Sequence, residues 1–246
     1  MWRPVTFMKY IYGPVNSRRL GLSLGLSLTA CKICNFDCVY CQLGKTNNKA
    51  SKRAEYVKLE DIIDELKSWL ENNKEEAKKL NYITIAGLGE PTLYAGIGLV
   101  IAKIKDLTSI PVAIITNASL FSDKDVRQAL LGADLIVPSL DAAEEKPFTQ
   151  VNRPAQEINL DKIISGLIAF RSEFPKAIWL EVMLVRGVND DPGHIKKLKE
   201  VIGKIKPDKI QLNSPVRTTT EPGILPVENT RLLKIKEMLG ERCEII

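Results

Sequence analysis

Short apolar, β-branched runs alternate along the chain with longer amphipathic stretches. The runs at 21–28, 82–86, 112–116, 135–140, 178–185 and 209–212 are rich in Val, Ile and Leu, as buried strands are. Between them, 59–70, 96–106, 123–131, 160–170, 193–205 and 229–239 place apolar residues every third or fourth position. Leu59, Ile62, Ile63, Leu66 and Leu70 show the pattern, which predicts helices. Boundary residues agree: Ser122 precedes one helix, Asp191-Pro192 opens another, and Gly240 follows the last. Strands that are each followed by a helix predict a parallel sheet covered on both faces. Six such units fall short of a closed eight-stranded barrel. The expected fold class is therefore α/β, an open partial (β/α)6 barrel. No repeat, low-complexity tract or linker interrupts the pattern, so 1–246 is expected to form one domain. The polar stretch 46–55 reads as a mobile loop.

Composition narrows the class. Of 246 residues, 45% are hydrophobic and 26% charged, which suits a soluble protein with a substantial core. The formal charge of +5 is spread among interspersed Lys and Glu, so it reads as a solvated surface with a modest bias toward anionic partners. No apolar run reaches the ~20 residues of a membrane span. The opening Met-Trp-Arg-Pro-Val-Thr-Phe lacks the layout of a secretion signal, so a cytoplasmic protein without a membrane partner is expected.

Cysteine placement changes the picture most. Four of the five cysteines fall in Cys31-Lys-Ile-Cys34-Asn-Phe-Asp-Cys38-Val-Tyr-Cys41, directly after the first strand. Such clustering favours metal over disulfides in a cytoplasmic chain. A zinc ribbon sets its two CxxC pairs about 15–20 residues apart, whereas here they nearly touch. A four-cysteine ferredoxin site would saturate every iron and make an electron carrier, which has little need of a β/α scaffold this large. The third reading takes Cys34, Cys38 and Cys41 alone. Three thiolates on a four-iron cluster leave one iron open, and an open position is what catalysis needs. Cys31 then reads as a small buried residue ending the first strand, and Cys243 as a structural thiol.

With Tyr40 just before the third cysteine, this run resembles the defining motif of the radical S-adenosylmethionine (SAM) superfamily. The resemblance implies a [4Fe–4S] cluster on Cys34, Cys38 and Cys41, with SAM chelating the open iron and Tyr40 lying against the adenine. It implies reductive cleavage of SAM to a 5′-deoxyadenosyl radical that abstracts hydrogen from a substrate, with an electron donor such as ferredoxin or flavodoxin.

Segments at later strand ends extend the likeness. Gly87-Leu88-Gly89-Glu90-Pro91 resembles the family's GGE motif for the SAM amino group, although an ordinary strand-to-helix turn would look similar. Thr116-Asn117 resembles the family's Thr-Asn-Gly strand end. Ser139 and Asp141 stand where relatives place SAM contacts, and helix capping is the plain alternative. Glu181-Val-Met-Leu-Val-Arg186-Gly-Val-Asn189 resembles the fifth-strand segment of molybdopterin-precursor cyclases, which makes Arg186 a cofactor-site candidate, although Gly187-Val-Asn189 could equally be a plain turn. Asn213 and Arg217, with Gln211 and Ser214, are candidate substrate contacts after the sixth strand. His194 reads as a first-turn helix residue without a catalytic part.

The opening through Cys41-Gln-Leu-Gly44 resembles a group related to wyosine-base (4-demethylwyosine) synthases. There Arg18 and Arg19 are candidates to grip an anion. Wyosine-base synthases and molybdopterin-precursor cyclases carry a second cluster, for which Cys31 and Cys243 do not suffice. A single-cluster enzyme acting on a nucleoside, RNA or small metabolite is the leading expectation. A glycyl-radical-enzyme activase and a non-catalytic electron carrier are the alternatives. Lys45, Lys49, Lys52 and Arg53 would form a basic rim for a phosphorylated or RNA substrate, although few aromatics interleave them.

Overall fold

The computed structural model describes residues 6–50, 52–216, 219 and 221–246; Arg217 lies outside them. Its strands are β1 (Thr6–Phe7), β2 (Ile11–Ser17), β3 (Gly21–Ser27), β4 (Tyr82–Ala86), β5 (Val112–Thr116), β6 (Leu135–Pro138), β7 (Ala177–Met183), β8 (Lys209–Asn213) and β9 (Cys243–Ile245). The helices are α1 (Leu59–Asn72), α2 (Lys74–Ala77), α3 (Ile97–Leu107), α4 (Lys124–Leu130), α5 (Glu145–Asn152), α6 (Leu160–Glu173), α7 (Pro192–Ile205) and α8 (Asn229–Leu239).

The strands form one nine-stranded sheet in sequence order. β1, β2 and β3 are antiparallel, and from β3 to β9 every neighbour is parallel. The sheet is open, as expected from the six units, and all six expected strands are present. Two additions extend it: a leading antiparallel hairpin, and β9, too short at three residues to show a period. Among the described residues no helix is long and apolar enough to cross a membrane.

Helices cover the outer face because all but the four-residue α2 carry an apolar stripe. In α1 the buried residues are Ile62, Leu66 and Trp69, three to four apart. Asp191 caps α7 by accepting from the His194 amide at 3.0 Å. The α4 cap is Asp123, which accepts from the Asp125 amide at 2.9 Å, and not Ser122 one residue earlier. A carboxylate is at least as good an acceptor there as a hydroxyl. The expected helices omitted α5, whose Pro147 reads as a breaker but falls in the first turn, where no amide is needed.

The inner face decides where a ligand can go. Alternate residues of β4 to β7 point inward, and Ala113, Leu135 and Val137 form a second apolar cluster with Tyr82, Ile115, Ala177 and Trp179. Leu20, from the β2–β3 turn, is buried in that cluster. Its two neighbours make polar contacts across the gap the sheet leaves. Arg19 pairs with Glu181 of β7 at 2.8 Å, and Arg18 donates to the Ile246 carbonyl just past β9 at 3.1 Å. The hairpin turn thus plugs one end of the lumen and spans its open seam.

Leu20→Ala is expected to lower unfolding free energy by about 2–5 kcal/mol, as for other buried leucines. Urea denaturation of wild type and variant measures it, and an unchanged midpoint would mean the turn does not pack in the lumen.

Candidate active site

The cysteine loop leaves β3 and crosses the carboxyl ends of β4 to β6. Its first anchor is a backbone bridge to the turn after β4: the Ile33 amide donates to Leu88 O at 2.9 Å, and the Glu90 amide to Ile33 O at 2.9 Å. Only glycine fits at 89. A Cβ there would stand 1.8 Å from the Ile33 carbonyl oxygen, and φ is +142°. Its second anchor is the end of α5. The amides of Asp37 and Val39 donate to the carbonyls of Asn152 and Val151 at 3.1 and 2.9 Å, and the Ala155 amide to Asn35 O at 2.8 Å. Phe36 packs edge-on against Phe148 of α5, with centroids 5.6 Å apart.

Behind the glycine turn, Glu90 is buried and receives four protein donors. Oε1 accepts from the Thr92 amide at 3.0 Å and from the Thr92 and Thr116 hydroxyls at 2.6 Å; Oε2 accepts from the Asn117 amide at 2.6 Å. Burial raises its carboxyl pKa, and these donors oppose the rise. Asp141 is the second buried carboxylate. It accepts from the Tyr40 hydroxyl at 2.5 Å, from Asn152 Nδ2 at 2.6 Å and from the Met183 amide at 2.9 Å. Burial pushes its pKa up to about 6 against the same three donors.

Every motif cysteine sulfur has a side-chain nitrogen beside it. Asn117 Nδ2 stands 3.8 Å from Cys34 Sγ, Asn152 Nδ2 3.5 Å from Cys38 Sγ, and Lys32 Nζ 3.3 Å from Cys41 Sγ. Burial pushes the Cys34 thiol up to about 12 and the Cys38 thiol higher still, so both are protonated near neutrality until a metal displaces the proton. Cys31 is exposed, contrary to the expectation of a small buried residue, because it follows a bend that turns away from β3. Cys243 is buried in the main core, beside β8.

Above the Leu20 plug lies a cavity of about 420 Å³. Cys38, Tyr40 and Cys41 line one wall, Arg18 and Arg19 another, and Ser139, Glu181 and Asn213 the strand ends between them. Among the site residues inferred from sequence, the structure therefore brings Tyr40, Ser139, Arg18, Arg19 and Asn213 to one space with two of the thiols. Gly87, Leu88, Gly89, Glu90, Thr116, Asn117 and Asp141 stand in the layer that holds the cysteine loop. Arg186 points elsewhere, donating to the Pro226 carbonyl at 2.8 Å with Glu228 3.7 Å away. The stretch 46–55 is anchored where described: Ala50 N donates to Cys34 O at 2.9 Å, and Arg53 reaches the carbonyls of Thr92 and Ala95 at 3.0 and 3.2 Å. The mobile loop is corrected accordingly, and Arg53 is spent on the protein's own backbone. Lys32, Asn152 and Glu181 were not singled out. Asn152 carried one signal, since it lies just before Arg153-Pro154, where a helix must stop.

Among the described residues no three His, Cys, Asp or Glu side chains converge on a single ion. A four-iron cluster does not ask them to, because each thiolate holds a different iron. Three thiols on one loop, each beside an N–H donor and two of them lining the cavity, fit such a cluster.

A partial barrel with its thiol loop across the carboxyl ends of the strands defines a class of enzyme, one that sets a metal cluster over a ligand cavity. A family model described as the radical SAM superfamily matches residues 29–198, and the chain belongs to that superfamily. Its members are enzymes that bind a [4Fe–4S] cluster and SAM. The chain is 41% identical over 237 residues to a Brachyspira hyodysenteriae protein named GTPase Obg, covering 96% of this chain and 34% of that protein. It thus spans about a third of that relative. The first glycine of a GxxxxGK[ST] phosphate loop is absent here: Val39 stands five residues before Gly44-Lys45-Thr46, and no helix follows directly. A UPF0026 protein of Methanocaldococcus jannaschii is 37% identical, over 95% of this chain and 72% of that one. A Thermotoga maritima protein named probable dual-specificity RNA methyltransferase RlmN is 26% identical, over 85% of this chain and 59% of that one. In fold, the structure titled TYW1 with a lysine-pyruvate adduct bound matches with TM-score 0.67 at 19% identity, covering 88% of this chain and 72% of that one. A radical SAM methyltransferase from Sphaerobacter thermophilus matches with TM-score 0.70 at 14% identity, covering 91% and 65%.

Replacing Cys34, Cys38 or Cys41 by Ala is expected to abolish an anaerobically reconstituted cluster, whereas Cys31→Ala and Cys243→Ala retain about four irons per chain. Iron analysis and the visible absorption of the cluster check this. Loss of the cluster in Cys31→Ala would overturn the three-ligand assignment.

Proposed function

We propose that this chain is a single-cluster radical SAM enzyme that abstracts hydrogen from a nucleotide within RNA. The observation that carries the reading is the cavity, bounded by Cys38 and Cys41 on one side and by Arg18 on the other. Cys34, Cys38 and Cys41 hold the cluster, and when bound it supplies the electron that cleaves SAM to methionine and a 5′-deoxyadenosyl radical. Tyr40, its hydroxyl held by Asp141, lies against the adenine, Ser139 offers a hydroxyl to the polar parts of SAM, and Asn213, held by Glu181 and the Ser214 amide, lines the same strand ends. Gly87, Leu88, Gly89 and Glu90 shape that wall from behind, with Thr116, Asn117 and Asp141.

The two arginines have different parts. Arg19 is neutralised by Glu181 inside the lumen, so it serves the floor of the cavity. Arg18 is exposed and lines the cavity mouth; among the described residues it donates to the Ile246 oxygen through Nη1, and its planar fork suits a phosphate. Leu43 and Val216 line the same cavity while 43% and 65% exposed, giving a base an apolar surface at the mouth. Lys45 and Lys49 are exposed on the loop that follows, where they add phosphate contacts, Lys49 from a position at which it also donates to the Pro154 carbonyl at 3.2 Å. The name of the Thermotoga maritima relative, a probable RNA methyltransferase, supports RNA over a small metabolite. An external one-electron donor such as ferredoxin or flavodoxin is required, because each reductive cleavage of SAM consumes one electron that the cluster must regain.

Reduced, reconstituted enzyme is expected to release 5′-deoxyadenosine and methionine from SAM slowly without substrate, measured by anaerobic chromatography with dithionite. An intact cluster that yields neither product would exclude hydrogen abstraction. For the substrate, total tRNA binding is followed against salt for wild type and for a variant with Arg18, Lys45 and Lys49 replaced by Ala. Each lost phosphate contact should flatten the log–log slope by about 0.7–0.9. Equal slopes would make a small metabolite the better substrate.

A further inference from the structure

We infer that Lys32, Asn117 and Asn152 form a three-sided hydrogen-bond cap on the cluster thiolates that sets the cluster's reduction potential. The inference rests on the proposed ligation by Cys34, Cys38 and Cys41 and adds residues outside the motif. Each sulfur has its own side-chain donor, Cys34 accepting from the Phe36 amide at 3.4 Å as well, and each side chain comes from a different element: Lys32 from the loop before the motif, Asn117 from the end of β5, Asn152 from the last turn of α5.

The orientation of the two amides is fixed by their other partners. Asn117 Oδ1 accepts from the Ser119 amide at 2.9 Å, so its NH2 faces Cys34 and Asn35 Oδ1, which is 2.8 Å away. Asn152 Nδ2 donates to Asp141 Oδ2 at 2.6 Å, and a carboxylate oxygen there leaves the amide no reason to flip. Its second hydrogen is left for Cys38. Asp141 therefore acts as a positioning residue through Asn152. Lys32 is held by Gly44 O as well as by Cys41, which fixes its amine at the third sulfur.

Donors to thiolate sulfur withdraw charge from the cluster, and they favour the reduced state because it carries one more electron. The effect is larger where the donor is cationic. At 3.8 Å the Asn117 contact is the longest of the three, so its share should be the smallest.

The test is an anaerobic redox titration of the reconstituted protein, followed by the EPR signal of the reduced cluster, with iron content measured on the same samples. Asn152→Ala and Lys32→Met are each expected to keep wild-type iron while the midpoint becomes more negative. A tenfold weaker reduction equilibrium corresponds to ~59 mV for one electron, and Lys32→Met should lose at least about that much. Lys32→Arg should restore most of it. Asp141→Asn lets the Asn152 amide turn its carbonyl to Cys38, so it should lower the midpoint as well, and combining it with Asn152→Ala should add little.

Wild-type midpoints in Lys32→Met and Asn152→Ala with the cluster intact would overturn the cap. If Asn152→Ala fails to fold, the Lys32→Met and Lys32→Arg pair decides alone, because that side chain is half-buried on a loop. Failure of the wild type itself to bind iron is a separate result, and it would remove the ligation reading and not the cap alone.

Discussion

A parallel sheet that stops before closing must deal with its inner face. In a closed barrel, inward side chains fill the lumen in layers. Here the antiparallel hairpin at one edge solves the problem with its turn. Leu20 completes the apolar layer from β4 to β7, and Arg19 satisfies Glu181, which would otherwise be a buried unpaired charge. Arg18 reaches the far edge beyond β9. Because the turn fills only one end, a cavity remains between it and the carboxyl ends of the strands. The position of the site follows from how the seam is closed.

The other boundary of that cavity is the cysteine loop, which the protein's own backbone bonds hold on both sides. Backbone bonds to Leu88 and Glu90 on one side, and to Val151 and Asn152 on the other, fix its path. The buried carboxylates Glu90 and Asp141 tie the supporting strands together. Glu90 joins the ends of β4 and β5, and Asp141 joins the end of β6 to β7, to α5 and to Tyr40. Each charge is stabilised by several directed donors, so neither is an isolated ion in a dry core.

The parallel strands and most helices were legible because their apolar periods are long and uninterrupted, and the cysteine spacing was legible because metal geometry restricts it. The hairpin, β9 and α5 were not. Ile11–Ser17 carries glycine and proline, β9 has three residues, and α5 has a proline in its first turn. Missing α5 also hid Asn152, whose part depends on a helix end meeting a loop over a hundred positions away in the chain. Residues of the glycine turn were found by likeness to the family, but their contacts were beyond the sequence. Glu90 could be read as an acceptor, yet nothing in Gly-Leu-Gly-Glu-Pro indicates that Thr92, Thr116 and Asn117 take up its oxygens. Charge alone also misled: Arg53 looks like part of a basic rim and is instead spent on backbone carbonyls.

Preorganisation and thiol chemistry bear on each other here. A metal site is usually absent until the metal arrives, so binding energy goes into folding. In this chain the loop is already held by bonds that involve no sulfur, and the nitrogens of Lys32, Asn117 and Asn152 already stand at the thiols. The opposing factor is burial, which keeps Cys34 and Cys38 protonated. Iron therefore has protons to displace on a loop that backbone bonds to both neighbouring segments also hold. Once those protons leave, the same burial that opposed thiolate formation strengthens each N–H contact to the sulfur, because the local dielectric is low.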